Sequence, residues 1–373
     1  MLIGTQNTLS EVINARGVFT PLGVSRSSKE VCEAVSDALG RLFIMDDLHD
    51  AVGREIAEMT NASAATVVHC SAAAITLAVA ASMTGSSPGA IKQLPDASGL
   101  KSRVILPAKH AVNYGHPIEQ AIRLAGAKPE LVGDNSACGI EDLAHACSKL
   151  DACCLVLVSS RLTGGEMLDF RKAVSAAHEH DLPVVIDGAA QDFRIEDLLD
   201  TGADVVLISG QKYLAGPTSG LVLGTPDLVS AVRAQEKGIG RGMKASKEAL
   251  LGVLTALKLR QQLNKEAWSS EQKEKVARFV SVANTIEGIT AKANPDPTNL
   301  PFDRAHLCIA KSSEFPDAAQ TAAALKAGEP SIWIMDHLTH QSEIVLELVQ
   351  LTQEEIDTVL DRIREVVSQY QKS

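Results

Sequence analysis

The 373-residue sequence lacks an excess of basic residues. Lysine and arginine together number 35, aspartate and glutamate together number 46, and the formal net charge at pH 7 is −11. A surface that binds a polyanion has to present clustered positive charge. We therefore expect no nucleic-acid partner.

The sequence also lacks a CxxC pair, a leader pattern and a long apolar run. None of its seven cysteines forms a CxxC pattern, which is typical of reduced cysteines in a cytosolic protein. The start, MLIGTQNTLSEVINARG, has no basic segment followed by an apolar one. The longest apolar runs, such as AAAITLAVAASM, are shorter than a membrane span. These absences predict a cytoplasmic protein with no membrane partner.

Two motifs that would suggest other chemistry are incomplete. GIGRG, residues 238–242, has close glycines but follows no strand-like run and lacks the rest of the dinucleotide fingerprint. HEH at 178–180 and DHLTH at 336–340 come without a supporting set of carboxylates. We expect neither a nicotinamide cofactor nor a metal ion.

Short β-branched runs alternate with helical segments from about residue 66. ATVVHC precedes SAAAITLAVAASM, RVILP precedes IEQAIRLAG, and CLVLV precedes DFRKAVSAAHEH, while LPVVIDG and ADVVLISG continue the series. Strand-like runs that are apolar on both faces predict a mostly parallel sheet covered by helices. The sequence therefore predicts an α/β fold whose large domain, the cofactor-binding one, spans 45–250.

The pattern changes beyond residue 250. A long helical stretch leads into a proline-rich passage, and SIWIMDHL and EIVLELVQL follow as predicted paired strands. We assign 251–373 to a linking helix and a small α+β domain. We expect residues 1–44 to pack with that small domain.

A carboxylate and an amine follow two neighbouring apolar runs. Asp187 ends VVID, and Lys212 comes three residues after Ser209, which ends VVLIS. A parallel α/β sheet binds its ligands at the carboxyl ends of its strands. Pyridoxal 5′-phosphate requires a lysine that forms a Schiff base and an acid that keeps its pyridine nitrogen protonated. Asp187 and Lys212 are therefore candidates for gripping opposite ends of that cofactor.

A phosphate site and a stacking ring complete the candidate set. HCSAAA at 69–74 ends a strand-like run and opens a helix, whose free N–H groups suit a phosphate, so Ser71 and the Ala72 backbone are candidates, with Ser209 as a further donor. The alternative for Ser71 is an ordinary helix N-cap. His110, beyond RVIL, is placed to stack on the pyridine face.

Five segments occur in the order seen in one known family: CSAAA, PAKHAVNYG, VVIDGAA, SGQKYLAGPTSG and GIGRGMKASKEALLG. Over nearly the whole chain they resemble the selenocysteine synthase-like branch of fold-type I pyridoxal-phosphate enzymes. The resemblance implies the aspartate-aminotransferase-like fold, a homodimer or higher homo-oligomer, and an active site at the subunit interface. It gives catalytic roles to Lys212, Asp187 and His110. The cofactor-binding set, which it extends into the GPTSG turn, is Ser71, Ala72, His110, Asp187, Ala189, Ser209, Lys212, Thr218 and Ser219.

Three arginines are candidates for holding an anionic substrate, because a guanidinium can grip a carboxylate or phosphate with two hydrogen bonds. They are Arg241 in the basic segment RGMKASK, Arg161 after CLVLV, and Arg16 in INARG.

The selenium-transferring members carry an added N-terminal region used on transfer RNA, whereas VINARG occurs here within the first 17 residues. We therefore expect a small-molecule substrate.

The resemblance favours a lyase that releases ammonia by eliminating the 3-hydroxyl of a 2-amino-3-hydroxy sugar acid. We expect a phosphorylated substrate such as D-glucosaminate 6-phosphate. The alternative is another α-carbon reaction on a small amino acid, by a racemase, an aldolase or an aminotransferase, because one cofactor serves all of them. A third reading is a catalytically silent relative that acts as a binding or scaffold subunit.

Overall fold

The structure, a computed structural model, describes residues 11–134, 137–163, 167–311 and 314–370. The strands in the described residues are β1 Val12–Asn14, β2 Ala64–Val68, β3 Arg103–Pro107, β4 Lys128–Val132, β5 Ala152–Val158, β6 Val184–Asp187, β7 Val205–Ser209, β8 Gly220–Gly224, β9 Ile289–Pro295, β10 Asp303–Ile309, β11 Ser331–Trp333 and β12 Glu343–Leu346.

The α-helices in the same residues are α1 Lys29–Leu39, α2 Met45–Thr60, α3 Ser71–Thr84, α4 Pro88–Gln93, α5 Ile118–Leu124, α6 Ile140–Cys147, α7 Phe170–His178, α8 Ile195–Leu199, α9 Pro226–Ala234, α10 Lys247–Gln262, α11 Lys265–Ala283, α12 Ala318–Ala327 and α13 Gln353–Tyr370. Among these helices, none combines the length and the apolar character needed to cross a membrane.

The chain divides into two compact units. The larger unit is Ser27–Gln262, and the smaller one combines the described residues up to Arg26 with the described residues from Leu263 onward. These boundaries differ from the expected 44/45 and 250/251, because α1 and α10 pack together within the larger unit. A Cβ on Gly252 of α10 would lie 2.7 Å from the Val35 side chain of α1. Residues 27–44 and 251–262 therefore belong with the sheet-bearing unit.

A seven-stranded sheet forms the centre of the larger unit, in the order β2-β8-β7-β6-β5-β3-β4. The run β7-β6-β5-β3-β4 is parallel, whereas β8 is antiparallel to both neighbours. All seven residues of β5 are buried, with Leu155 and Leu157 in one apolar cluster and Val156 and Val158 in the other. The predicted α/β fold with a mostly parallel sheet is confirmed.

The reversal of β8 decides what meets at the carboxyl edge of this sheet. Because β8 runs against its neighbours, it begins where they end, and Gly220 pairs with both Val68 of β2 and Ser209 of β7. The turn that precedes Gly220 therefore lies at the same edge as the ends of β6 and β7.

The described residues of the smaller unit form two sheets. Strands β12, β10 and β9 form an antiparallel sheet, and β1 pairs in parallel with β11. The expected pairing of SIWIMDHL with EIVLELVQL is found at one antiparallel bridge, between Met335 and Val345. The strands β11 and β12 themselves belong to different sheets.

Candidate active site

The ends of three parallel strands deliver the predicted ionisable residues to one region. Asp187 is the last residue of β6, Ser209 is the last residue of β7, and Lys212 lies in the turn that follows. His110 ends the 3₁₀ turn Ala108–His110 directly after β3. Its Nδ1 accepts a hydrogen bond from the Val158 amide at 3.1 Å, and Val158 is paired with Asp187 in the sheet.

Two donors hold the Asp187 carboxylate, which is 2% exposed. The Ala189 amide donates to Oδ1 at 3.1 Å, and the Tyr114 hydroxyl donates to Oδ2 at 2.8 Å. One hydrogen bond to each oxygen fixes the orientation of a buried carboxyl group. The strand end therefore presents an acid in a fixed orientation.

The Lys212 amine lies near that acid. Burial lowers the pKa of Lys212, the neighbouring Asp187 charge opposes this shift, and the Arg161 charge adds to it. The residue as a whole is only half-buried, so the desolvation acts at the ammonium rather than along the whole side chain. Nζ lies 5.5 Å from the centre of the Tyr114 ring. A lowered pKa increases the fraction of neutral amine, which is the nucleophilic and basic form.

His110 is a neutral ring at ordinary pH. Burial lowers its pKa to about 4, and the Lys109 charge adds to the shift. Since Nδ1 accepts the Val158 amide, the proton of the neutral ring is on Nε2. The Phe170 ring packs edge-on against it, with 5.8 Å between ring centres. The imidazole is thus held in one orientation.

The start of α3 lies against the start of β8. A Cβ on Gly220 would lie 2.6 Å from the Cys70 carbonyl oxygen and 3.0 Å from the Ser71 amide nitrogen, so only glycine permits this approach. The Cys70 side chain is the N-cap, with Sγ accepting from the Ala73 amide at 3.4 Å. The N-cap reading of Ser71 is therefore wrong: Ser71 is the first helical residue, and Ala72 beside it is exposed.

The hydroxyls of the GPTSG turn already have acceptors. Thr218 is exposed and donates to the Gln211 side chain at 2.7 Å. Ser219 is fully buried and donates to the Pro217 carbonyl at 2.9 Å. In this arrangement both residues shape the turn, and their predicted contact with a phosphate stays a prediction.

The three candidate arginines lie in different surroundings. The charge of Arg161 lowers the pKa of Lys212, so the two side chains lie near each other. Arg241 is exposed in the 3₁₀ turn Ile239–Met243, which is joined to the end of β2 by the bond from the His69 amide to the Met243 carbonyl. Arg16 belongs to the smaller unit, where Nη1 contacts Asp336 Oδ1 at 2.8 Å and the Ile334 carbonyl at 3.0 Å, and where the guanidinium lies over the Phe19 ring.

Sequence reasoning missed Tyr114, although it contacts Asp187 and faces Lys212. Burial first, and then the Asp187 charge, raise the pKa of its phenol well above the usual value, so the hydroxyl stays a donor. The signal was present in PAKHAVNYG, because an aromatic residue four positions after His110 follows the same strand end. The chain contains three tyrosines in all, which makes this placement informative.

Comparison with known proteins gives the family. The profile of Cys/Met metabolism PLP-dependent enzymes matches residues 156–297. A 5′-C-glycyluridine monooxygenase-decarboxylase of Streptomyces is 32% identical over 95% of this chain and 90% of its own. The D-glucosaminate-6-phosphate ammonia lyase of Salmonella typhimurium is 30% identical over 96% of both chains. This chain belongs to their family of pyridoxal-phosphate-dependent enzymes.

A solved structure agrees with this membership. The structure of a D-glucosaminate-6-phosphate ammonia-lyase superposes with a TM-score of 0.89 at 28% identity, covering 99% of each chain. L-seryl-tRNA(Sec) selenium transferases also match, which confirms the predicted branch of the family. The predictions of a pyridoxal-phosphate-dependent lyase and of pyridoxal phosphate as its cofactor are confirmed.

Proposed function

We propose that this enzyme releases ammonia from a phosphorylated 2-amino-3-hydroxy sugar acid such as D-glucosaminate 6-phosphate. The observation that carries the proposal is the pairing of a buried, doubly hydrogen-bonded Asp187 with a desolvated Lys212. The likeness to ammonia-lyases along the whole chain supports the choice of reaction.

The residues at the sheet edge fit pyridoxal phosphate. Asp187 would hold the pyridine nitrogen, Lys212 the aldehyde carbon, and His110 one face of the ring. Ser71 and the first free N–H groups of α3 would hold the phosphate. The close approach of Gly220 to Cys70 and Ser71 supports this, because it leaves only backbone on that side of the helix start. Ser209 would add a donor.

Pyridoxal phosphate, when bound, supplies an electron sink for the charge left at C2 when the α-proton departs. Lys212 Nζ takes that proton, and burial, which lowers its pKa, favours the neutral form that can accept it. The Asp187 carboxylate keeps a proton on the pyridine nitrogen, and the Ala189 amide holds that carboxylate in place. Loss of the 3-hydroxyl as water and hydrolysis of the resulting enamine give a 2-keto acid and ammonia.

The substrate's anionic groups require positive charge. Arg161 is the candidate for the group nearer the reacting carbon, because its charge already acts on Lys212. Arg241 is the candidate for the more distant anion, since it is exposed. The role of Arg16 stays a prediction, with its guanidinium held by Asp336 and Ile334.

We further infer a cytoplasmic homodimer or higher homo-oligomer. The end of α1 and the segment after it support association, because Leu39, Leu42 and Ile44 are 58%, 95% and 72% exposed. Large apolar side chains grouped at a surface mark contact sites. The cytoplasm is supported by seven cysteines that are all free. Light scattering coupled to gel filtration tests the assembly.

A second reaction is favoured by one comparison. The 32% identical relative is named a monooxygenase-decarboxylase, so an oxygen-dependent loss of carbon dioxide is the competing outcome for this site. The two reactions differ in their consumption of oxygen and in their carbon product. The racemase, aldolase and aminotransferase alternatives release no free ammonia.

One reconstitution experiment separates these outcomes. The cofactor-loaded enzyme is incubated with D-glucosaminate 6-phosphate, and ammonia, 2-keto acid, carbon dioxide and dissolved oxygen are followed together. Equimolar ammonia and 2-keto acid with constant oxygen is the expected result. Carbon dioxide release with oxygen consumption would replace the lyase by the second reaction, and inversion at C2 without ammonia would identify a racemase.

A further inference from the structure

A buried ion pair lies beside the loop that follows Asp187 and the loop that contains Lys212. The chemistry proposed above does not use this pair. Arg260 of α10 places Nη2 2.9 Å from Asp192 Oδ2, with side chains 16% and 2% exposed. Burial raises the pKa of Asp192, and the Arg260 charge opposes that shift. Burying two charges is costly, so a pair that is kept in such a place points to a geometric role.

The guanidinium of Arg260 contacts both loops. Asp192 and Phe193 belong to the loop after β6, and the Phe193 ring lies 3.7 Å from the Arg260 guanidinium carbon. Arg260 Nη2 also donates to the carbonyl of Tyr213, the residue after Lys212. One side chain from a long helix thus connects the loop of the acid with the loop of the amine.

The lysine loop has a strained internal geometry that makes such an anchor useful. Ala215 adopts a left-handed φ of +56°, and the Gly216 amide closes the loop on the Gly210 carbonyl at 2.7 Å. The Ala215 amide donates to the Lys212 carbonyl at 3.0 Å. These bonds fix the shape of the loop, whereas the bond from Arg260 fixes its place against the neighbouring loop.

We propose that Arg260 and Asp192 are positioning residues that set where Lys212 Nζ stands relative to the Asp187 carboxylate. The proposal rests on the proposed function, since it assumes that Lys212 binds the cofactor. A displacement of about 1 Å at a reacting group costs on the order of 100-fold in rate. Loosening the anchor should therefore slow the reaction of Lys212 with the cofactor while leaving the rest of the pocket intact.

The test uses the variants Arg260→Lys and Asp192→Asn in the full-length protein. Cofactor-free protein is mixed with pyridoxal phosphate, and the rate of covalent attachment is followed by visible absorbance and by borohydride trapping. We expect attachment to slow by about 10- to 100-fold, because a lysine at 260 cannot contact both loops and an amide at 192 removes the charge pair. Binding of pyridoxamine 5′-phosphate, which has no aldehyde to attack, should change less than threefold.

Lys258→Gln is the matched control, because Lys258 lies on the same helix and pairs with Glu55 at the surface. A lower melting temperature with wild-type attachment rates in either folded variant would overturn the positioning role, and if Arg260→Lys fails to fold, Asp192→Asn decides alone. Equal loss of pyridoxal phosphate attachment and pyridoxamine phosphate binding would also overturn it. If the wild-type protein does not label Lys212, the assignment of the lysine fails instead.

Discussion

Replacement of Asp187 by asparagine removes one charge from the site and leaves its shape unchanged. The amide oxygen of Asp187→Asn can accept from the Ala189 amide, as Oδ1 does now. The amide NH₂ then faces the Tyr114 hydroxyl oxygen, which can accept as well as donate. Asparagine has the same size as aspartate and keeps an acceptor for the Ala189 amide, so we expect the variant to fold.

The loss of activity follows from the lost charge. An amide cannot hold a proton on the pyridine nitrogen, and preorganised electrostatic interactions of this kind contribute roughly 3–4 kcal/mol, or about 100- to 1000-fold in kcat. The Asp187 charge also opposes the lowering of the Lys212 pKa. Without it that pKa falls further, so Lys212 remains able to bind the cofactor and the loss appears in turnover.

The assay measures ammonia release at saturating substrate, cofactor content by absorbance, and melting temperature on one preparation. Asp181→Asn is the matched control, because Asp181 precedes β6 at the opposite edge of the sheet, is exposed, and has a φ of +53° that asparagine tolerates. Near-wild-type turnover of Asp187→Asn with cofactor bound would refute the reasoning.

Four further predictions concern single residues. Borohydride reduction and peptide mapping should place the cofactor on Lys212, and label on another lysine would contradict the assignment. Arg241→Ala should raise KM for a phosphorylated substrate by roughly 10- to 100-fold, because a charge-assisted hydrogen bond is lost. The melting temperature should not change, and an unchanged KM would contradict the role of Arg241. Tyr114→Phe should lower the unfolding free energy of cofactor-free protein by about 1.5 kcal/mol, measured in urea, because Asp187 loses one of its donors. The pKa of His110 is about 4 in the folded protein and about 6.5 in the unfolded chain, so the free energy of unfolding should fall by about 3 kcal/mol as the pH falls from 6.5 to 4. His110→Gln should flatten that part of the stability profile, and an unchanged profile would contradict this assignment.

The sequence predicted the features that depend on local pattern. Asp187 and Ser209 end apolar runs, and a parallel sheet places such ends at one edge, so their position follows from the pattern. The Cys70 cap was missed because a thiol is not among the usual capping groups.

Contacts between distant segments could not be read from the sequence. The spacing in PAKHAVNYG places Tyr114 after the end of β3, but its contact with Asp187 depends on the path of the chain between β3 and α5. The pairing of Arg260 with Asp192 depends on how α10 packs across the sheet. Likewise β1 pairs with β11 from the other end of the chain, and three-residue strands carry too little alternation to announce a partner.

The two glycines that bound β8 would separate in a saturation-mutagenesis map. A Cβ on Gly224 would collide with the Asp204 carbonyl, and one on Gly220 with the Cys70 carbonyl, so neither position should tolerate replacement. Gly224 ends β8 at the amino edge of its neighbours, where an intolerant score would report folding alone. At Gly220 the same score would include a loss of cofactor retention. Scoring protein abundance and cofactor retention for the same variants would therefore distinguish the two glycines. Gly224 would affect folding alone, and Gly220 would affect folding and the site.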